Sequence, residues 1–161
     1  MPSRPGRKGP LITQTRARPV AAVLLAAYSV LVLVIVAWPT PVDQKAHGYI
    51  IRLLREAHDH HVLMFVGYAQ VEFSANVAMF VPLGLLLGVL LGPRRWGYAI
   101  LIGFALSSTI ELLQFALLPG RYGTVDDVIA NTSGAVIGAL LARSFLRREA
   151  ARATRTASGP R

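Results

Sequence analysis

The segment Val20–Trp38, VAAVLLAAYSVLVLVIVAW, contains no charged residue and is long enough to cross a lipid bilayer. A hydrocarbon core of about 30 Å requires roughly 20 apolar residues in a helix. The segment ends in Trp38, an aromatic residue typical of the membrane interface, and prolines follow it, which end a helix. A secretory signal peptide is the alternative, but the run is longer than a typical h-region and lacks a small-residue cleavage site. We therefore expect a retained transmembrane helix.

Three further apolar runs have a similar length: Phe73–Leu91, Gly97–Leu118 and about Val125–Phe145. Hydrophobic residues make up 53% of the 161 residues, too many for an ordinary soluble domain of this size. The chain contains no cysteine, which excludes disulfides and thiolate metal sites. The sequence therefore predicts an all-α integral membrane bundle of about four transmembrane helices over residues 20–146, and we expect no cofactor.

The distribution of basic residues predicts the topology. Thirteen Lys and Arg residues lie in the two terminal tails and in the turn after the second apolar run, whereas four lie in the other two connections. Because basic residues favour the cytoplasmic side, we expect a multi-pass protein of the bacterial plasma membrane with both termini cytoplasmic. Residues 1–19 are expected to be a basic cytoplasmic tail, disordered over residues 1–10, and residues 147–161 a second basic tail that is disordered. The net charge is +9, but the basic residues are not interleaved with aromatic residues. We therefore expect membrane lipids as partners and no nucleic acid.

The first extracytoplasmic loop contains YIIRLLREAH, which is typical of a short amphipathic helix on the membrane surface. Its predicted apolar face consists of Ile50, Leu53, Leu54 and Ala57. His58, His60 and His61 follow and suggest a metal site, but they lack the i, i+4 spacing of paired helical ligands. The spacing favours a solvated cluster, and we predict no metal site.

Polar residues interrupt the last three apolar runs close to their predicted outer ends: Asn76, Glu111, Gln114, Asp127 and Asn131. At 1.5 Å per residue, Glu111 and Asn131 lie about 10 Å inside their helix ends, and Asn76 about 5 Å. A carboxylate near the centre of a membrane helix costs about 2.5–3.5 kcal/mol, so Glu111 favours a functional role. The amides are also explained as hydrogen bonds between helices. Asp126 and Asp127, with Thr124, also fit the start of the fourth helix.

Small residues continue the same helix faces toward the other end of the bundle. They are Gly84 and Gly88 in the second apolar run, after Pro82, and Gly134 and Gly138 in the fourth. Glycines spaced by three or four residues let membrane helices approach closely. We therefore predict tight packing at one end of the bundle and a polar pocket at the other.

Three blocks closely resemble the VanZ-like family of membrane proteins: NVAMFVPLG from Asn76, IELLQ from Ile110, and GRYGTVDDVIANTSGAVIG from Gly120. They match the family pattern N-x-x-x-F-x-P-x-G, then E-x-x-Q, then R-x-x-x-x-x-D-[ILV]-x-x-N-x-x-G-x-x-x-G, over roughly residues 70–142. The positions matched in this chain are Asn76, Phe80, Pro82, Gly84, Glu111, Gln114, Arg121, Asp127, Asn131, Gly134 and Gly138. The resemblance implies a membrane protein, and the founding member of the family is associated with low-level resistance to teicoplanin-type antibiotics.

Two functions fit these residues. In the first, the polar pocket binds an envelope lipid or lipid-linked cell-wall precursor without chemistry, and Arg121, expected to pair with Glu111, holds an anionic head group. In the second, the protein is a membrane enzyme on such a lipid, with Glu111 or Asp127 as acid or base. A metal held by these two acids would compete with Arg121. A proton-coupled carrier would require more than four spans, for which a homo-oligomer would be needed.

Overall fold

Five helices make up most of the computed structural model, which describes residues 11–37, 44–117 and 124–157. The helices are α1 (Leu11–Ala37), α2 (Gln44–Asp59), α3 (Tyr68–Leu91), α4 (Trp96–Leu117) and α5 (Val125–Ala157). All except α2 are long and apolar enough to cross a membrane. The described part of the chain is therefore an all-α bundle, as predicted. We call the end where α5 begins the Asp127 end, and the opposite end, where α4 begins, the Arg143 end.

Three helices extend beyond the predicted apolar runs. Helix α3 begins at Tyr68 rather than Phe73, because the Gln70 side chain accepts a hydrogen bond from the Gly67 N–H (2.9 Å) and caps the first turn. Helix α1 already begins at Leu11, within the expected N-terminal tail.

Helix α5 continues to Ala157, so residues 147–157 are helical and not the disordered tail that was expected. This segment is rich in Ala and Arg, which are strong helix formers. Glu149 and Arg152 also form an ion pair at 3.8 Å with i, i+3 spacing, which suits a helix. Polar composition alone therefore did not end the helix.

Helix α5 packs against both α3 and α4, and small residues allow the close approach. A Cβ added at Gly84, Gly134 or Gly138 would fall on backbone atoms of the facing helix, and one added at Gly88 would lie 2.7 Å from the Ala142 Cβ. The buried hydrophobic residues of α5 are mainly alanines: Ala130, Ala135, Ala139 and Ala142. The packing role predicted for the four glycines fits this geometry, since close approach between membrane helices depends on missing side chains.

Helix α1 packs along α3, close to Pro82. Because Pro82 has no N–H, it cannot donate to the carbonyl four residues earlier, at Ala78. The Tyr28 hydroxyl donates a hydrogen bond to the neighbouring Met79 carbonyl oxygen (2.7 Å). Tyr28 therefore joins α1 to α3 where proline interrupts the helical hydrogen bonds.

The predicted amphipathic helix is present as α2, but its half-buried face differs in part from the prediction. Leu53 is exposed, whereas Ile51 and His58 are half-buried beside Ile50 and Leu54. His58 Nε2 lies 2.9 Å from the Leu63 carbonyl oxygen and 3.1 Å from that of Val66. His58 thus fastens the turn that connects α2 to α3, which explains why it is turned inward.

Candidate functional site

The carboxylate of Asp127 is the centre of a polar layer at the Asp127 end, which consists of Asn76, Glu111, Gln114, Thr124, Asp127 and Asn131. One of its oxygens accepts a hydrogen bond from the side-chain amide of Asn76 in α3. The other accepts a hydrogen bond from the Thr124 hydroxyl (2.7 Å). Asp127 therefore connects α5 to α3 through one oxygen and holds Thr124, the residue before α5, through the other.

Thr124 is the residue before α5 and caps its N-terminus. Its hydroxyl oxygen accepts a hydrogen bond from the Asp127 backbone N–H (3.1 Å), as expected for an N-cap threonine. In a capping box the third residue of the helix would accept from the Thr124 N–H. Here Thr124 N–H donates instead to Glu111 Oε2 of α4 (3.3 Å). A carboxylate from α4 thus completes the cap, where the dipole of α5 favours a negative charge.

Gln114 lies one turn beyond Glu111 and reaches α1. Its Nε2 donates a hydrogen bond to the Val36 carbonyl oxygen (3.2 Å). Val36 is in the last turn of α1. Gln114 therefore holds the end of α1 against α4.

Asn131 lies one turn deeper in α5 than Asp127 and is 3% exposed. Its Nδ2 donates a hydrogen bond to the hydroxyl oxygen of Ser107 in α4 (3.0 Å), and Ser107 is fully buried. The Asn131 Oδ1 is buried, and no hydrogen bond to it is found within the described residues. Asn131 thus joins α4 to α5 and leaves one acceptor inside the bundle.

An open cleft lies beside this layer, between the first turns of α3 and α5. Its lining includes three carboxylates, several neutral polar groups and one aromatic ring: Glu72, Asp126, Asp127, Gln70, Ser74, Thr124 and Phe73. The carboxylate oxygens accept hydrogen bonds from hydroxyl and ammonium groups, and Gln70 and Ser74 add neutral hydrogen-bonding groups. The cleft can therefore hold a polar head group at the membrane surface.

The structure brings most of the sequence-predicted site residues together. Asn76, Gln114 and Asn131 bind neighbouring helices, in agreement with their interpretation as interhelical hydrogen bonds. Asp127 and Thr124 start α5, also as interpreted, while Asp126 is exposed and lines the cleft. Arg121 lies outside the described residues.

Sequence reasoning missed the contribution of α3 to the cleft, namely Gln70, Glu72 and Ser74. One signal was available, because Glu72 precedes Asn76 by four residues and so shares its helix face. His60 and His61 are exposed, and the described residues contain no group of three His, Asp or Glu that could hold a metal ion.

One protein-family model matches most of the chain. The VanZ/LLP1 family model matches residues 22–147, which include α3, α4, most of α1 and α5, and every residue of the polar layer. No curated protein and no solved structure matches the chain. Since the family model covers most of the sequence, the chain belongs to the VanZ/LLP1 family, as a membrane protein with four helices that can span the bilayer.

Proposed function

We propose that the protein binds the head group of an anionic envelope lipid or lipid-linked cell-wall precursor at the Asp127 end, on the outer face of the bacterial plasma membrane. By this binding it would give low-level tolerance to teicoplanin-type glycopeptide antibiotics. The observation that carries the proposal is the cleft between α3 and α5, whose polar lining is fixed by hydrogen bonds to three helices. A polar cleft at the end of a membrane bundle is open to lipid head groups.

The two chemical parts of such a head group require different partners. A phosphate requires a cation, and Arg121 is three residues before Thr124 in the sequence, in the segment that joins α4 to α5. A guanidinium binds phosphate through two parallel hydrogen bonds. Sugar hydroxyl or ammonium groups require acceptors, which Glu72 and Asp126 provide in the cleft. A phosphate-bearing lipid with hydroxyl or ammonium groups therefore suits this set of residues.

The contacts of Asp127 favour binding over catalysis by that residue. Both of its oxygens already accept hydrogen bonds within the protein, from Asn76 and Thr124. In the alternative proposal, the protein is an enzyme acting on a lipid-linked phosphate or glycan, with Glu111 or Asp127 as the acid or base.

The test compares the lipids that copurify with the wild-type protein and with Arg121→Gln, identified by mass spectrometry after extraction in a mild detergent. Arg148→Gln, at an exposed position near the opposite end of the bundle, is the matched control. We expect the wild type and Arg148→Gln to retain a phosphate-bearing lipid that Arg121→Gln loses. Retention of the same lipid by Arg121→Gln at normal abundance would contradict the proposal.

A double variant distinguishes binding from folding. If Glu111 and Arg121 serve only to neutralise each other, then Glu111→Gln with Arg121→Gln restores both protein level and antibiotic tolerance, because no charge is left alone. If the site binds an anionic head group, the double variant reaches the wild-type level in the membrane but gives no tolerance. Tolerance is scored in a strain that lacks the native gene.

A further inference from the structure

A second charged site lies at the Arg143 end, away from the cleft. The guanidinium of Arg143 in α5 lies over the ring of Trp96, with 4.6 Å from Cζ to the ring centroid. A cation–π contact holds a guanidinium in place without removing its charge. The Arg143 Nε is buried and has no hydrogen-bond partner within the described residues. Arg143 is thus a fixed cation with an unused donor.

Other arginines surround this pair. Arg94 and Arg95 are exposed in the turn before Trp96, and Arg147 is one turn beyond Arg143 on the same face of α5. Among the described residues at this end, the one acidic side chain is Glu149, which pairs with Arg152. The positive charge next to Trp96 is therefore not balanced by a carboxylate there.

The position of Arg143 along α5 places this charge at the level of lipid head groups. Arg143 follows Asp127 by sixteen residues in one continuous helix, which corresponds to about 24 Å. The hydrocarbon core is about 30 Å thick, so these two residues lie near its opposite boundaries. Tryptophan is enriched at these boundaries, which agrees with the position of Trp96.

We propose that Arg143, stacked on Trp96, forms with Arg94 and Arg95 a binding site for the phosphodiester of an anionic phospholipid in the leaflet at the Arg143 end. The guanidinium is oriented by the indole and meets the phosphate through its N–H groups, while the two arginines of the turn close the site from the aqueous side. Phosphate recognition by guanidinium groups is favoured by their planar, bidentate geometry. The site is separate from the proposed head-group cleft and does not depend on it.

Trp96 itself reports on the bound lipid. The chain has two tryptophans, so Trp38→Phe leaves Trp96 as the one source of tryptophan fluorescence. This variant is reconstituted in phosphatidylcholine vesicles that contain either brominated phosphatidylglycerol or, at equal mole fraction, brominated phosphatidylcholine. Bromine quenches tryptophan on contact, so the ratio of the two quenching curves gives the relative affinity for the anionic lipid.

We expect stronger quenching by the anionic lipid, and about a fivefold lower relative affinity in Arg143→Gln, equivalent to about 1 kcal/mol for one basic residue at the surface. Arg148→Gln is the control, because Arg148 lies about 140° around α5 from Arg143. This variant should retain the preference for the anionic lipid. Should Arg143→Gln fold poorly, Arg94→Gln with Arg95→Gln changes two exposed residues and is expected to lower the affinity as well.

Equal quenching by the two lipids, or an unchanged preference in both test variants, would overturn the proposal. Competition with inorganic phosphate distinguishes a site for a phospholipid from a site for the free phosphate ion. If millimolar phosphate abolishes the preference while chloride of equal ionic strength does not, the site takes the free ion, and the assignment to a phospholipid is wrong.

Discussion

The side-chain amide of Asn76 donates a hydrogen bond to the carboxylate of Asp127 across 51 residues of sequence. This contact joins the first half of α3 to the first turn of α5, where α5 is also capped by Thr124 and reached by Glu111. An amide next to a carboxylate is favourable because the amide donates and the carboxylate accepts. Exchanging the two groups should therefore preserve the contact.

Asn76→Asp should lower the free energy of unfolding by about 2 kcal/mol, because a charge-assisted hydrogen bond is replaced by two adjacent carboxylates. Asn76→Asp combined with Asp127→Asn should recover more than half of this loss, since one amide again faces one carboxylate. Thermal unfolding in detergent of the single and double variants measures the coupling. Additive losses in the double variant would show that the two side chains do not interact.

Gly138→Leu should lower the free energy of unfolding by about 2 kcal/mol. Even a Cβ at this position would fall on the backbone of Val81 and Leu85 in α3. Leu140→Ile is the matched control, since Leu140 is 40% exposed on the same helix. The unfolding temperature in detergent gives the comparison. If both substitutions were tolerated equally, the approach of α3 to α5 would be looser than described.

Tyr28→Phe should cost about 0.6 kcal/mol, the average for a hydrogen bond between membrane helices, because it removes the donor to the Met79 carbonyl oxygen. Tyr98→Phe makes the same chemical change at an exposed position and should have no effect. The unfolding temperatures of both variants are compared with that of the wild type. A larger loss for Tyr98→Phe than for Tyr28→Phe would contradict the assigned contact.

Hydropathy and helical spacing were sufficient to predict the spans and the polar layer. Asn76, Asp127 and Asn131 contact other helices, and each lies near the Asp127 end of an apolar run, on the same face as the glycines. The periodicity of the α-helix determines which residues of one helix share a face, so these groups of residues can be predicted from a single sequence.

The hydrogen-bond partners of these residues could not be predicted from the sequence, because they depend on how each helix is rotated about its axis relative to its neighbours. Nothing in the sequence indicates that Gln114 binds Val36 of α1, or that Glu111 completes the cap at Thr124. The ends of α1 and α5 were also misjudged. Membrane length limits the apolar run, whereas helix propensity and ion pairs decide where the helix itself ends.

His58→Ala should release the turn between α2 and α3, because the imidazole holds the carbonyl groups of Leu63 and Val66. Leu63 has a positive φ of 56°, a conformation that is unfavourable for a leucine and must be held by its surroundings. Loss of about 1 kcal/mol in local stability corresponds to roughly fivefold faster amide hydrogen exchange at Val66. His60→Ala, at an exposed position, should leave the exchange rate at Val66 unchanged. Equally faster exchange in both variants would contradict the structural role assigned to His58.

Cysteine labelling on intact cells tests the predicted orientation, in which the Asp127 end faces outward and the basic Arg143 end faces the cytoplasm. The chain contains no native cysteine, so a single introduced thiol reacts without background. His60→Cys and Ala150→Cys place that thiol at exposed positions near opposite ends of the bundle. An impermeant maleimide should label His60→Cys on intact cells and Ala150→Cys only after permeabilisation, because the bilayer separates the reagent from the cytoplasmic end. The reverse pattern would place the head-group cleft in the cytoplasmic leaflet, and the proposed action on an outer-face envelope lipid would then fail together with the topology.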